Sequence, residues 1–404
     1  MDKTPSRSMA VPVAAAAGQA PGWLAPALAG FAATLLGLGL ARFAYTPLLP
    51  ALVQEGWLTS SQAAYLGAAN LLGYLVGALA AAPLGGRFGN RAVLRGAMAL
   101  AALSLLACAW NGGLVWLSVW RIVAGATGAV LIVLAGPTVV APLPLAVKAR
   151  AIGVVFTGIG VGVVLAGLGV PLLAGAGVSA AWLVVGALAL LLTLAAWPHW
   201  PGPVARPAGA GAPVKVRSAP LWLSTLAYAG DGIGYVPHTL FFADFVARGL
   251  GQGVAVGGYY WALFGAGAAC GAVFGGWLGA RFGFPKAFAL LLTVKGLAVA
   301  LPLASTTAPT LALSIFVAGL LTPGSVAVAS GVSALLAGAG GHVRAWGRMT
   351  AAFALTQAVG GYAMSALYAA TGSHRPLFAV GAVTLLAGAA CAWVALRFAK
   401  EEVP

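Results

Sequence analysis

Leu84-Gly85-Gly86-Arg87-Phe88-Gly89 returns as Leu278-Gly279-Ala280-Arg281-Phe282-Gly283, an offset of 194 residues. The same offset pairs Tyr65 with Tyr259, Gly73 with Gly267, Gly77 with Gly271, Val123-Ala124-Gly125 with Val317-Ala318-Gly319, and Arg150-Ala151 with Arg344-Ala345. A single offset held over this distance means two copies of one multi-helix unit, facing the same way in a bilayer. Parallel repeats of this kind build carriers that rock about a central site.

Composition supplies the bilayer. Hydrophobic residues make up 61% of the 404 and charged residues 7%, whereas a soluble domain carries roughly 25% charged residues. Twelve apolar stretches of spanning length lie near 24–51, 62–83, 93–110, 114–140, 152–173, 180–197, 221–246, 257–279, 287–304, 310–336, 349–370 and 376–396. The expected fold is an all-α membrane protein of twelve transmembrane helices. It divides into a disordered tail (1–20), a six-helix bundle (21–198), a Pro/Gly/Ala-rich linker (199–220), a second six-helix bundle (221–398) and a short tail (399–404). No cleavable signal peptide is evident.

The net charge of +15 is topological rather than a nucleic-acid footprint. Of the 21 Lys and Arg, Arg248 and Arg375 fall in external loops, and Arg42, Arg121 and Lys295 within spans. The others are cytoplasmic if both termini are inside, as the positive-inside rule requires. Cys108, Cys270 and Cys391 sit in apolar runs and read as small packing residues, with neither a disulfide framework nor a metal site.

Ionisable groups inside a bilayer cost several kcal/mol and are functional hypotheses by default. Arg42 and Arg121 lie roughly 10–12 Å below the outer surface at 1.5 Å per residue. They either offer donor forks to an anion or satisfy carbonyls and tie helices together. The seventh span is the most polar, with Tyr228, Asp231, Tyr235, His238 and Asp244. Asp231, near the midplane, either carries a proton or is permanently paired with Arg42, Arg121 or Lys295. His238, seven residues on, either relays protons or is a neutral hydrogen-bonding residue. Lys295 partners Asp231 or snorkels inwards, and Asp244 is expected to be solvated. Tyr65, Asn70, Tyr259 and Gln357 are neutral candidates for a cavity wall. No catalytic constellation, cofactor motif or Walker sequence is present, so neither an enzyme nor an ATP-driven pump is indicated.

Twelve spans in two halves with a central linker resemble the major facilitator superfamily. Ala82-Pro83-Leu84-Gly85-Gly86-Arg87-Phe88-Gly89-Asn90-Arg91 resembles its signature loop after span two, although Gly86 and Ala280 replace the signature Asp in the two copies. The resemblance marks Gly85, Arg87, Gly89, Arg91, Gly279, Arg281 and Gly283 as conformational loop residues. Leu117-Ser118-Val119-Trp120-Arg121-Ile122-Val123-Ala124-Gly125 resembles the fourth-span motif, whose Arg is linked with proton coupling. Gly39-Leu40-Ala41-Arg42-Phe43-Ala44-Tyr45-Thr46-Pro47-Leu48-Leu49-Pro50 is similar to the first span of the YbfB/YjiJ-like branch of bacterial facilitators, which singles out Arg42 and Tyr45.

The expectation is therefore a monomeric secondary transporter of the bacterial inner membrane, moving a small solute by alternating access. Buried cations outnumber buried acids, which favours an organic anion, with protons as the coupling ion and membrane lipids as surroundings. Arg42, Tyr45, Tyr65, Arg121, Tyr259 and Gln357 are the expected substrate contacts; Asp231, His238 and Arg121 the expected proton-coupling residues. An exporter of amphipathic compounds is the alternative, and a non-transporting sensor a remote one.

Overall fold

In a hydrocarbon environment every backbone polar group must be satisfied within its own segment, which leaves helices as the solution for a chain of this composition. The computed structural model describes residues 22–173, 176–202 and 219–401, and no strand occurs among them. The first half comprises α1 (Leu24–Gln54), α2 (Ser60–Phe88), α3 (Asn90–Ala107), α4 (Gly113–Val140), α5 (Leu145–Leu173) and α6 (Val178–Ala196). The second comprises α7 (219–249), α8 (Gly253–Phe282), α9 (Phe284–Ala304), α10 (Ala308–Gly338), α11 (339–371) and α12 (Arg375–Glu401). Ten of these helices are long and apolar enough to cross a membrane. The other two, α7 and α11, are helical at the expected places. In α7 the α-helix Ala219–Gly234 gives way to π-turns at Pro237–Phe241 and Phe245–Gly249. Most of the linker and the N-terminal tail lie outside the described residues.

The repeat is visible at the level of single contacts. A Cβ on Gly73, Gly77 or Gly125 would come within 2.0 Å of the carbonyl oxygens of Ile122, Ala126 and Asn70 respectively. At the positions 194 residues on, a Cβ on Gly267, Gly271 or Gly319 would lie 2.5, 2.3 and 2.2 Å from those of Phe316, Leu320 and Phe264. Hence α2 lies against α4, and α8 against α10, with backbones touching through the same glycines, the small-residue packing that membrane helices use in the absence of a hydrophobic driving force. Gly125→Ala is expected to destabilise the protein by about 1–3 kcal/mol, because a carbonyl cannot yield as a side-chain tip can. Gly96→Ala, where nothing lies within 4 Å, is the control and should cost nothing; thermal unfolding in detergent reads the difference.

The signature loops are copied just as closely. Gly89 and Gly283 have φ of +80° and +79°, a region open to glycine without strain. Arg87 and Arg281 each lie over the ring of the following phenylalanine, at 5.3 and 5.5 Å.

Helix α1 is broken in its middle. Pro47 has no N–H to give to the carbonyl four residues earlier, and the chain passes through a π-turn at Leu35–Leu40 and a hydrogen-bonded turn at residues 41–44 that interrupts the regular helix. The freed carbonyls are met by side chains from three other helices. Arg121 Nη1 donates to Ala41 O at 2.7 Å and its Nη2 to Arg42 O at 3.3 Å. Asn70 Nδ2 donates to Ala41 O at 3.3 Å, and Trp261 Nε1 to Phe43 O at 3.0 Å. Helix α7 breaks at Pro237, 194 residues after Phe43, so the two irregular helices meet where each has unwound; Thr46 Oγ1 donates to Thr239 O at 2.6 Å.

Close contacts between the halves extend to one end of the bundle. Calling the end that carries Ala196 and Ala219 the linker end, contacts between α5 and α8 run from Gly160 against Ala269 to Pro171 against Gly258, towards the opposite, far end. Gly361 of α11 meets Ala68 and Leu71 of α2 in the same half of the bundle.

Candidate functional site

Arg42 sits where α1 crosses α7 and is 7% exposed. Its Nη2 donates to the hydroxyl of Tyr235. With the carbonyl of its amide turned to the guanidinium, Gln357 accepts from Nη1 and Nη2 at 3.0 and 3.2 Å and donates to Tyr235 Oη at 2.5 Å. A guanidinium carries only donors, so this orientation gives Arg42 an acceptor and Gln357 partners for both ends of its amide. The rings of Phe43, Tyr74 and Tyr235 lie 5.0, 5.2 and 5.6 Å from Arg42 Cζ. A cavity of about 10 Å³ adjoins the cluster, lined by Arg42, Tyr45, Asn70, Arg121 and Thr239 among others. It has room for about one water, too little for an organic solute.

Arg121, 1% exposed, is turned to the backbone of α1, with its guanidinium over the rings of Tyr45 at 4.8 Å and Trp182 at 5.8 Å. These contacts tie α4 to α1 and α6. Tyr45 in turn donates from its hydroxyl to Ala63 O at 2.5 Å.

A second cluster adjoins the first. Asp231 Oδ1 accepts from Lys295 Nζ at 2.7 Å, and Oδ2 from Ser325 Oγ at 2.6 Å. Asp231 and Lys295 are both fully buried, so Lys295 does not snorkel. Lys295 Nζ also lies 5.3 Å from the centroid of Tyr235. His238 takes a different direction. The π-turn after Pro237 points it at Ser314, whose Oγ lies 2.8 Å from Nε2 and donates to Ala298 O at 2.7 Å. Because that hydroxyl is already donating, Nε2 carries the proton. Nδ1 has no partner among the described residues, and Phe242 and Phe378 wall the ring.

A third cluster closes the far end. Asp244 is not solvated, as its place near a helix end suggested, but fully buried. Both its oxygens accept from Arg248, and His374 Nε2 lies 2.8 Å from Oδ2. Arg248 also donates to Ser60 Oγ of α2 at 2.5 Å and to Tyr368 Oη at 3.2 Å, so it links the two halves. The π-turn at Phe245–Gly249 brings Arg248 back over Asp244. Arg248→Ala is expected to open this end, raising several-fold the rate at which a membrane-impermeant maleimide labels a cysteine placed at the buried Ala64 in a background without the native cysteines.

A family model described as "Uncharacterised MFS-type transporter YbfB" matches residues 34–393. The chain belongs to that family. It is a multi-pass membrane transporter of the major facilitator type. No curated protein matches it significantly.

In this facilitator the structure gathers Arg42, Tyr45, Arg121 and Gln357 within one crossing and joins Asp231 to its edge. It does not bring Tyr259 there: that ring is 55% exposed on the outer wall of α8. Tyr65 packs on Tyr362 across the α2–α11 contact, at 6.3 Å. Cys108 packs in the core as expected, whereas Cys270 is exposed. Sequence reasoning passed over Tyr235 as a site residue and left Lys295 undecided. The one available signal was the placement of Tyr235 four residues after Asp231, one helical turn away on the same face.

Proposed function

We propose that this facilitator is a secondary active transporter that moves a small organic anion across the bacterial cytoplasmic membrane by alternating access, coupled to protons. Arg42 is the anion contact, Gln357 and Tyr235 the groups an anion would displace from it, and Asp231 the proton carrier. The observation that carries this reading is the missing counter-charge at Arg42 and Arg121. Among the described residues Glu55 accepts from Val178 N–H, Asp231 holds Lys295, and Asp244 holds Arg248 and His374. Two buried guanidiniums therefore sit together without a carboxylate. A buried charge is stable only when paired or fully hydrogen-bonded, and an arriving carboxylate supplies the pair.

In this proposal twelve spans form two six-helix bundles, both termini are cytoplasmic, and the far end faces outwards. The conformation is then closed to the outside, and the loops around Arg87 and Arg281 take part in the rocking. The test is uptake into proteoliposomes with and without an inward proton gradient. Gradient-driven accumulation of a radiolabelled carboxylate should fall to background in Asp231→Asn; accumulation at the wild-type level would exclude Asp231 as carrier. The rings around Arg42 favour a second reading, export of amphipathic compounds, which predicts stabilisation by lipophilic cations and none by carboxylates.

A further inference from the structure

Tyr235 lies between the two clusters and touches both. Its hydroxyl accepts from Arg42 Nη2 and bonds Gln357, while its ring is close to two cations, 5.6 Å from Arg42 Cζ and 5.3 Å from Lys295 Nζ. It is 3% exposed, and its own N–H donates to Asp231 O at 3.2 Å. A carboxylate that takes the Arg42 fork must displace the Gln357 carbonyl and the Tyr235 hydroxyl, which now share it.

We infer that Tyr235 is the positioning residue that couples anion binding to protonation of Asp231, an inference that rests on the proposed function above. Before an anion arrives, the phenol shares Arg42 with Gln357, and its ring lies close to both that guanidinium and Lys295. An arriving carboxylate displaces the hydroxyl and with it the ring. Lys295 is then free to turn towards the anion and away from Asp231, and Asp231, losing its cation, takes up a proton. Anion and proton enter together, and neither need touch the other.

The groups facing Asp231 allow this exchange. Lys295 on α9 is the one cation in direct contact, with Ser325 on α10 as the second hydrogen-bond partner. Tyr228 and Tyr235 on its own helix lie within its field, and His238 lies within that of Lys295. Helix α11 contributes Thr356 and Gln357, which are neutral, and α12 presents Thr384 O, Leu385 and Gly388 to this part of α7. Arg42 lies beyond the Tyr235 ring.

The test uses the full chain in detergent with acetate, benzoate and succinate as probes, binding being read by calorimetry across neutral and mildly acid pH. Tyr235→Phe keeps the ring and removes the hydroxyl, so an arriving carboxylate has one acceptor fewer to displace from Arg42 Nη2 while the ring need not move. Affinity at neutral pH should rise roughly tenfold, the value of one hydrogen bond to a charged group, and the gain in affinity that the wild type shows on acidification should vanish. A merely structural tyrosine predicts the reverse: weaker binding with the wild-type pH dependence intact, which would overturn the inference and leave the anion reading standing. If none of the three probes binds the wild type at millimolar concentration, the anion reading falls and this inference with it.

Discussion

Asp231→Leu is expected to destabilise the protein by about 3–5 kcal/mol, and adding Lys295→Met to restore most of the loss. The two side chains are fully buried and 2.7 Å apart. Removing one partner of such a pair leaves an ammonium in a low-dielectric interior, which is where the large cost arises. Replacing both by apolar residues removes two desolvation penalties together with their mutual attraction, and such exchanges are commonly neutral or stabilising. Ser325 is not orphaned, since its hydroxyl has a second acceptor in Thr322 O at 2.9 Å. Denaturant titration of the single and double variants in micelles measures both effects. The double variant also separates a strut from a proton site: a stable protein without gradient-driven uptake supports the carrier role, whereas a stable protein that still accumulates solute refutes it.

Arg42→Ala is expected to weaken carboxylate binding by roughly 10²–10³-fold, since truncating one partner of a buried hydrogen-bonded charge pair costs about 2–5 kcal/mol. Arg42→Lys should recover only part, because an ammonium keeps the charge and loses the planar fork. Arg121→Ala should behave differently. Its guanidinium serves Ala41 O and Arg42 O, so its loss uncaps the break in α1 and lowers stability, with binding affected through the misplaced Arg42. Titrating benzoate against each variant, alongside its melting temperature, distinguishes the two. Equal affinity in Arg42→Ala and wild type would remove Arg42 from the site.

Much of the fold was legible because its causes are local or repeated. Apolar length marks a span wherever it occurs, and the 194-residue offset implied that Gly73, Gly77 and Gly125 would find their counterparts in matching contacts, as they do. The irregular stretches were legible only as prolines. That Pro47 would free carbonyls, and that Arg121, Asn70 and Trp261 would meet them, depends on which faces of α1, α2, α4 and α8 turn together. Asp244 was misread for a related reason: proximity to a helix end implies water only if nothing covers that end, and here His374 and Arg248 do.

The amino-acid sequence by itself determined that this chain lies in lipid, that it is one unit copied twice, and which few residues could carry charge within it. The tertiary structure alone decided the pairing: Lys295 with Asp231 across 64 residues, Arg42 with Tyr235 across 193, and Tyr235 with Gln357 across 122. The physical reason is that burial and periodicity are properties of one helix, whereas a hydrogen bond between helices is set by their rotation and depth. Those are fixed collectively by the glycine contacts of the whole bundle.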